Sequence, residues 1–322
     1  MKKFSRLVVT HSPQSSRADE YDEEISDKLR QIVDTHSAEL VEISLKDTAY
    51  FESVKIVSDN LRDGDVVFGA GGDGINQVTL QGAIESGRDV TVGFLPLGNA
   101  NDFATALNGR VKNPAKILAS PTIDFHPLEL LVNNQTRFYV AAYATFGVTA
   151  VAVDWLNSKE TRDNRKRLSR LSPVAALKPR QLGQVSHDIN AMKFPLFKRD
   201  GMICRDDSIG FLLTPAAKNM LRPSGGVTNF LARDDFFFHY NNVRDKSPGK
   251  GWIGKSLTAG RWATFGLPGV VSDYEQLEFL HPSDMVVHIG GDTIRLDRVR
   301  TINVERTQRT VKIFAPRKSL QV

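Results

Sequence analysis

Hydrophobic positions along the first 125 residues change their period repeatedly. Phe4–Thr10 is a short run rich in β-formers, and Tyr21, Ile25, Leu29, Ile32 and Val33 then recur on one helical face. Glu39–Leu45 alternates as a strand does, and Phe51, Val54, Val57 and Leu61 return to helical spacing. Asp63-Gly64-Asp65 ends that helix, and Val66–Phe68 starts a third strand. After a glycine turn, Ile75 to Ile84 is helical, and Val90–Leu95 is a fourth strand. Strands alternating with helices predict an α/β N-terminal domain with a mostly parallel sheet. Ligands of such sheets bind beyond the carboxyl ends of the strands.

The second half changes character. Phe138–Ala144, Ile209–Pro215, Phe236–Tyr240 and Leu277–Leu280 read as strands with few long helices between them. Ile294, Leu296, Ile302, Val304, Val311 and Ile313 mostly alternate with polar residues. A period of two marks half-buried strands, typical of antiparallel sheets. The boundary between the two architectures is expected near Ile123–Leu128.

Composition narrows the class. The chain has 322 residues, 41% hydrophobic and 25% charged, which excludes a disordered chain, a collagen and a coiled coil and suggests two domains. Ala144–Leu156 is the best candidate for a membrane span, but it is too short and contains Asp154. Lys2–Lys3 is followed only by the apolar Leu7–Val9, too little for a secretory signal. The single cysteine, Cys204, excludes an internal disulfide framework, and a cytoplasmic protein is expected. Charge is uneven. Residues 158–180 carry eight basic residues against two acidic ones, and 295–318 carry the same ratio. Such patches suit an anionic surface or a plain solvated face. The seven histidines show no metal-ligand spacing, and Phe236-Phe237-Phe238 reads as core strand with no RNA-binding motif beside it. Nucleic acid is not an expected partner. Trp252, Trp262 and Phe265 lie in a glycine-rich stretch and read as loop packing, with an acyl pocket or a membrane-interface contact as the alternatives.

Candidate chemistry sits in two loops. Gly69-Ala70-Gly71-Gly72-Asp73-Gly74 joins a strand to a helix, where glycines admit a ligand close to the backbone and the helix N-terminus suits phosphate. It matches neither a Walker loop nor a dinucleotide fingerprint. Asp73 would repel a bare phosphate, and a bridging Mg²⁺ removes that conflict; the alternative is a tight turn with Asp73 as helix N-cap. The next strand runs into Pro96-Leu97-Gly98-Asn99-Ala100-Asn101-Asp102-Phe103-Ala104. Asn99 and Asn101 can bond a nucleotide there, and Asp102 can cap the helix starting at Phe103 or bind metal-linked water.

Gly-Gly-Asp-Gly followed by Pro-Leu-Gly-x-x-Asn-Asp-Phe-Ala resembles the diacylglycerol kinase catalytic domain, shared by bacterial soluble lipid kinases and sphingosine kinases and distantly related to NAD kinases. Asn-Asp-Phe-Ala is the part that separates lipid kinases from NAD kinases. Phe146-Gly147-Val148-Thr149-Ala150 and Ala217-Lys218-Asn219 with Gly225-Gly226 are similar to later family elements. This chain departs from the family where no threonine follows Gly74, where Gln77 replaces a glutamate and where Asn99 replaces a threonine. Ser12-Pro13-Gln14-Ser15 stands for the family's Asn-Pro-x-Ser-Gly, and Gly290-Gly291-Asp292 for its late Asp-Gly-Glu.

The resemblance implies a nucleotide-binding α/β domain at 1–125, with completion by 306–322 left open, and a β-sandwich lipid domain at 126–305. It implies an ATP-dependent lipid kinase. Ser12, Gly71, Gly72, Asp73, Gly74, Gly98, Asn99 and Asn101 would lie on the nucleotide, with Asp73 and Asp102 at Mg²⁺. Asp292, with Asp73, would be catalytic. The expected partners are a lipid alcohol and, through residues 158–180, an anionic membrane, with a homodimer left open. The alternatives are a catalytically degraded relative that binds nucleotide or lipid as a regulator, and an NAD kinase.

Overall fold

The structure, a computed structural model, describes residues 4–15, 18–46, 48–98, 101–108, 111–147, 150–151, 154, 195–204, 208–213, 236–241, 269–272 and 274–315. The chain divides into two compact units. One comprises Met1–Glu129, Phe138–Ala142 and Arg306–Val322; the other comprises Leu130–Arg137 and Tyr143–Glu305.

The first unit opens with strand β1 (Arg6–His11), a short helix α1 (Ala18–Glu20), a π-helical turn (Tyr21–Ile25) and α2 (Ser26–His36). Then follow β2 (Glu39–Ser44), α3 (Tyr50–Asp59), β3 (Val66–Gly71), α4 (Asp73–Ser86), β4 (Thr91–Pro96), α5 (Asp102–Asn108), α6 (Pro114–Leu118) and β5 (Thr122–Phe125). Strands β1 to β4 pair in parallel, and the last strand of the chain, β16 (Val311–Phe314), pairs in parallel with β4 and antiparallel with β5. The sheet order is β2-β1-β3-β4-β16-β5.

Leu7, Val9, Phe68 and Leu95 on this sheet pack against Tyr21, Ile25, Leu29 and Val33, which validates the helical face read from the sequence. A buried ion pair ties the N-terminal end of β1 to the turn before β3: Arg6 Nη1 donates to Asp65 Oδ2 at 2.7 Å.

The second unit is built on an antiparallel sheet. The strands of that sheet, of which Leu128–Glu129, Phe138–Val140 and Arg306 count with the first unit, are β6 (Leu128–Val132), β7 (Thr136–Val140), β8 (Tyr143–Gly147), β9 (Phe197–Arg199), β10 (Met202–Cys204), β11 (Ser208–Leu213), β12 (Phe236–Asn241), β13 (Gly269–Ser272), β14 (Tyr274–Ile289) and β15 (Asp292–Arg306). Its main path runs β13-β12-β11-β8-β14-β15-β6-β7. The apolar run 138–144, expected as one strand, is split between β7 and β8 by Ala141 and Ala142. Gly290 and Gly291, both at positive φ (52° and 99°), make the two-residue turn between β14 and β15. Both central residues of such a turn need the left-handed region, which glycine enters without steric cost. Among the described residues no helix is long and apolar enough to cross a membrane.

Candidate active site

The carboxyl ends of β1, β3 and β4 share one edge of the parallel sheet. β1 is followed by β2 on one side and by β3 on the other, so the order reverses between β1 and β3. A ligand crevice is expected at such a switch point. His11 at the end of β1, Ser12 just after it, Ala70 on β3, Leu97 after β4 and Tyr21 on the π-helical turn line a cavity of about 30 Å³ there. That is room for about one water or one phosphate oxygen, so the cavity is the floor of a site. His11 stacks on Tyr21 with ring centroids 4.5 Å apart, and Tyr21 donates to Glu42 Oε1 at 2.6 Å. Burial lowers the pKa of His11, opposed by Glu42 and Asp22, so the ring is neutral at pH 7. Burial and the bond to Glu42 push the Tyr21 phenol above its ordinary value. Ser12 Oγ accepts from the backbone N–H of Gln14 at 3.2 Å, folding the chain just past the strand.

The two glycine loops meet on this edge. A Cβ added at Gly98 would lie 2.2 Å from Gly72 Cα, so backbone rests on backbone with no space for a side chain. Gly71 is equally closed, because its Cβ would reach 2.7 Å from Ile75. The Leu97 N–H donates to the Gly71 carbonyl at 2.9 Å and extends the β3–β4 pairing into the loops. Gly74 lies in the first turn of α4.

Asp73 is not the helix cap that its position suggests: Gly72 is the N-cap, and Asp73 is the first helical residue. Its buried Oδ1 instead accepts from the backbone N–H of Phe103 at 3.3 Å, in the first turn of α5. One carboxylate thus sits at the start of two helices, where a negative charge is favoured. Nor does the helix after the second loop start at Phe103. It starts at Asp102, which puts Asp102 inside it as the first residue of α5. Asn101 is buried at φ 57°. Its Oδ1 accepts from Gly98 N at 2.8 Å and its Nδ2 donates to Gly98 O, so this amide shapes the loop. Asn99 lies outside the described residues, as do the basic segment 158–180 and Trp252, Trp262 and Phe265.

Gln77, one turn into α4, is fully buried and its amide is saturated. Nε2 donates to Tyr139 O at 2.7 Å and to the Tyr50 hydroxyl at 3.0 Å, and Oε1 accepts from Ala141 N at 2.8 Å. Gln81 extends the clasp by accepting from the Tyr50 hydroxyl at 2.6 Å. A glutamate could not make the first two of these bonds as a carboxylate, which explains why an amide stands here.

The structure therefore gathers Gly71, Gly72, Asp73, Gly98 and Asn101, with Ser12 on the same edge after β1, the strand next to β3. Asp292 belongs to the second unit, where it is the first residue of β15 and the Cα partner of Ile289. Sequence reasoning missed His288, a buried histidine on β14. The one signal for it was a polar residue inside the apolar run Met285–Ile289. Among the described residues no three His, Cys, Asp or Glu side chains cluster as a metal site.

Residues 8–130 match the family model of the diacylglycerol kinase catalytic domain. Among solved structures, the chain is similar to a diacylglycerol kinase from Bacillus anthracis strain Sterne, at 14% identity over 99% of each chain and a TM-score of 0.56. A second structure from the same organism matches at 14% identity over 98% of each chain, also with a TM-score of 0.56. Likeness at this identity establishes the shared fold. No curated protein matches the sequence.

Proposed function

Because residues 8–130 carry the match to the diacylglycerol kinase catalytic domain, we propose that the protein is an ATP-dependent lipid kinase acting on the hydroxyl of diacylglycerol or a related lipid alcohol. The observation that carries this reading is the contact of the two glycine loops at Gly72 and Gly98, crossed by the bond from Phe103 N to the buried Asp73 carboxylate. Phosphoryl transfer asks a protein mainly to position groups and stabilise charge. The N-terminus of a helix such as α4 suits phosphate oxygens. Gly71–Gly74, Gly98, Asn99 and Asn101, with Ser12, make up the nucleotide side in this reading.

The donor set suits Mg²⁺, which takes one or two carboxylates and fills its shell with phosphate and water. Asp73, with Asp102 at the start of α5, would supply them. When bound, the ion neutralises charge on the transferring phosphate. Asp292 is the proposed general base for the lipid hydroxyl, a role that contributes roughly 10²–10⁴-fold. The basic segment 158–180 is the proposed contact with an anionic membrane, where each Lys or Arg contributes about 1 kcal/mol near the surface.

A second reading, a regulator that binds nucleotide or lipid without turnover, is favoured by one observation: Gly74 runs directly into Ile75 with no threonine between. Incubation with labelled ATP, Mg²⁺ and a panel of lipid alcohols, followed by lipid-phase extraction, separates the two. Label in the lipid phase supports the kinase. Intact ATP binding with no labelled lipid transfers the case to the regulator.

A further inference from the structure

In an antiparallel sheet, directly opposed residues lie on the same face. Thr145 of β8, His288 of β14 and Thr293 of β15 are such partners and form one row across three neighbouring strands. The flanking residues Ala144, Phe146, Val287 and Ile289 are apolar and alternate to the other face. The Tyr143 ring lies 5.4 Å from the His288 ring. Asp154 closes the far end of the row by accepting from Thr293 Oγ1 at 2.7 Å. His288 is 4% exposed and Thr145 7%, yet His288 Nε2 and Thr145 Oγ1 have no hydrogen-bond partner among the described residues. Buried polar atoms are almost always paired, so two adjacent unpaired ones mark a place that an incoming polar group completes. Burial pushes the pKa of His288 down to about 4, with Asp154 opposing, so the imidazole is neutral at pH 7. A neutral imidazole and a hydroxyl suit an uncharged oxygen, and a nearby carboxylate disfavours an anion.

We infer that the His288–Thr145 row is a subsite for the uncharged oxygens of a lipid, above all the ester carbonyl of an acylglycerol. The identity of the occupant rests on the lipid-kinase reading above.

The test is binding without ATP. Dioctanoylglycerol and its dioctyl ether analogue are titrated into the full chain, into His288→Phe, which keeps an aromatic ring beside Tyr143, and into Thr145→Val, which keeps the shape of threonine. Wild type should prefer the ester by about tenfold, the effect of one hydrogen bond. Each variant should lose most of that preference while Mg·ATP affinity and ether affinity stay unchanged. Equal ester and ether affinity in wild type, no binding of either lipid, or full ester preference in both variants would each overturn the subsite and leave the row as a water site. Ester-selective binding without phosphate transfer would instead retain the subsite and overturn the kinase.

Discussion

Replacing Gln77 by glutamate converts one atom in the most fully bonded side chain of the candidate site. The Nε2 that donates to Tyr139 O and to the Tyr50 hydroxyl becomes a carboxylate oxygen facing a carbonyl at 2.7 Å. The Tyr50 hydroxyl cannot compensate without releasing Gln81, to which it donates. An uncompensated buried charge costs about 3–5 kcal/mol. At about 1.4 kcal/mol per pKa unit, the new carboxyl should avoid that cost by holding its proton, with a folded pKa raised by about 3 units from about 4.3. The folded state then binds more protons than the unfolded state across that window. Stability is retained below about pH 4 and lost as pH rises towards about 7. Gln77→Glu should therefore match wild type near pH 4.5 and be about 4 kcal/mol less stable at pH 8, a fall of about 8–15 °C in Tm. Urea unfolding of both proteins at the two pH values, followed by helical circular dichroism, measures the difference. A deficit at pH 8 below about 1 kcal/mol, or one of equal size at both pH values, would refute the clasp.

Four further outcomes follow from particular contacts. Gly98→Ala forces a Cβ into the Gly72 backbone, which should separate the loops and weaken Mg·ATP binding at least tenfold in a calorimetric titration. Asp65→Ala removes the 2.7 Å partner of the buried Arg6, which keeps the Asn60 carbonyl at 2.9 Å and the exposed Glu39 carboxylate at 3.5 Å, and should cost about 1–3 kcal/mol in chemical unfolding without changing nucleotide affinity. His288 has a folded pKa below its unfolded value, so its contribution is present above about pH 6.5 and lost as pH falls to about 4; His288→Phe should flatten wild-type acid lability in that window. Asp292→Asn should collapse kcat in a lipid phosphorylation assay while leaving Mg·ATP affinity nearly unchanged, and a full-rate variant places the base elsewhere.

The elements of the first unit were legible because their packing leaves a periodic trace. The face made by Tyr21, Ile25, Leu29 and Val33 is buried as its spacing requires. Val66–Phe68 was readable as a strand, but its extension to Gly71 was not, since glycines carry no side-chain pattern while their backbones still pair with Phe94, Leu95 and Pro96. In the antiparallel sheet the trace fails where both faces are buried, as at 138–144, and where the ladder slips, as between Glu278 and Met285 on β14. The site residues were legible as loop composition. Their partners were not: the bond from Phe103 to Asp73, the hold of Gln77 on Ala141 and the row through Thr145, His288 and Thr293 all join positions far apart in sequence.

The most direct measurement at the centre of the site is calorimetric titration of Mg·ATP into wild type and Asp73→Asn. The asparagine keeps an oxygen for the Phe103 N–H and removes only the charge. Wild type should bind in a Mg²⁺-dependent manner, and Asp73→Asn should bind at least tenfold more weakly, with the Mg²⁺ dependence gone. Equal affinity of the two proteins, with the same response to Mg²⁺, would contradict a nucleotide site organised by Asp73.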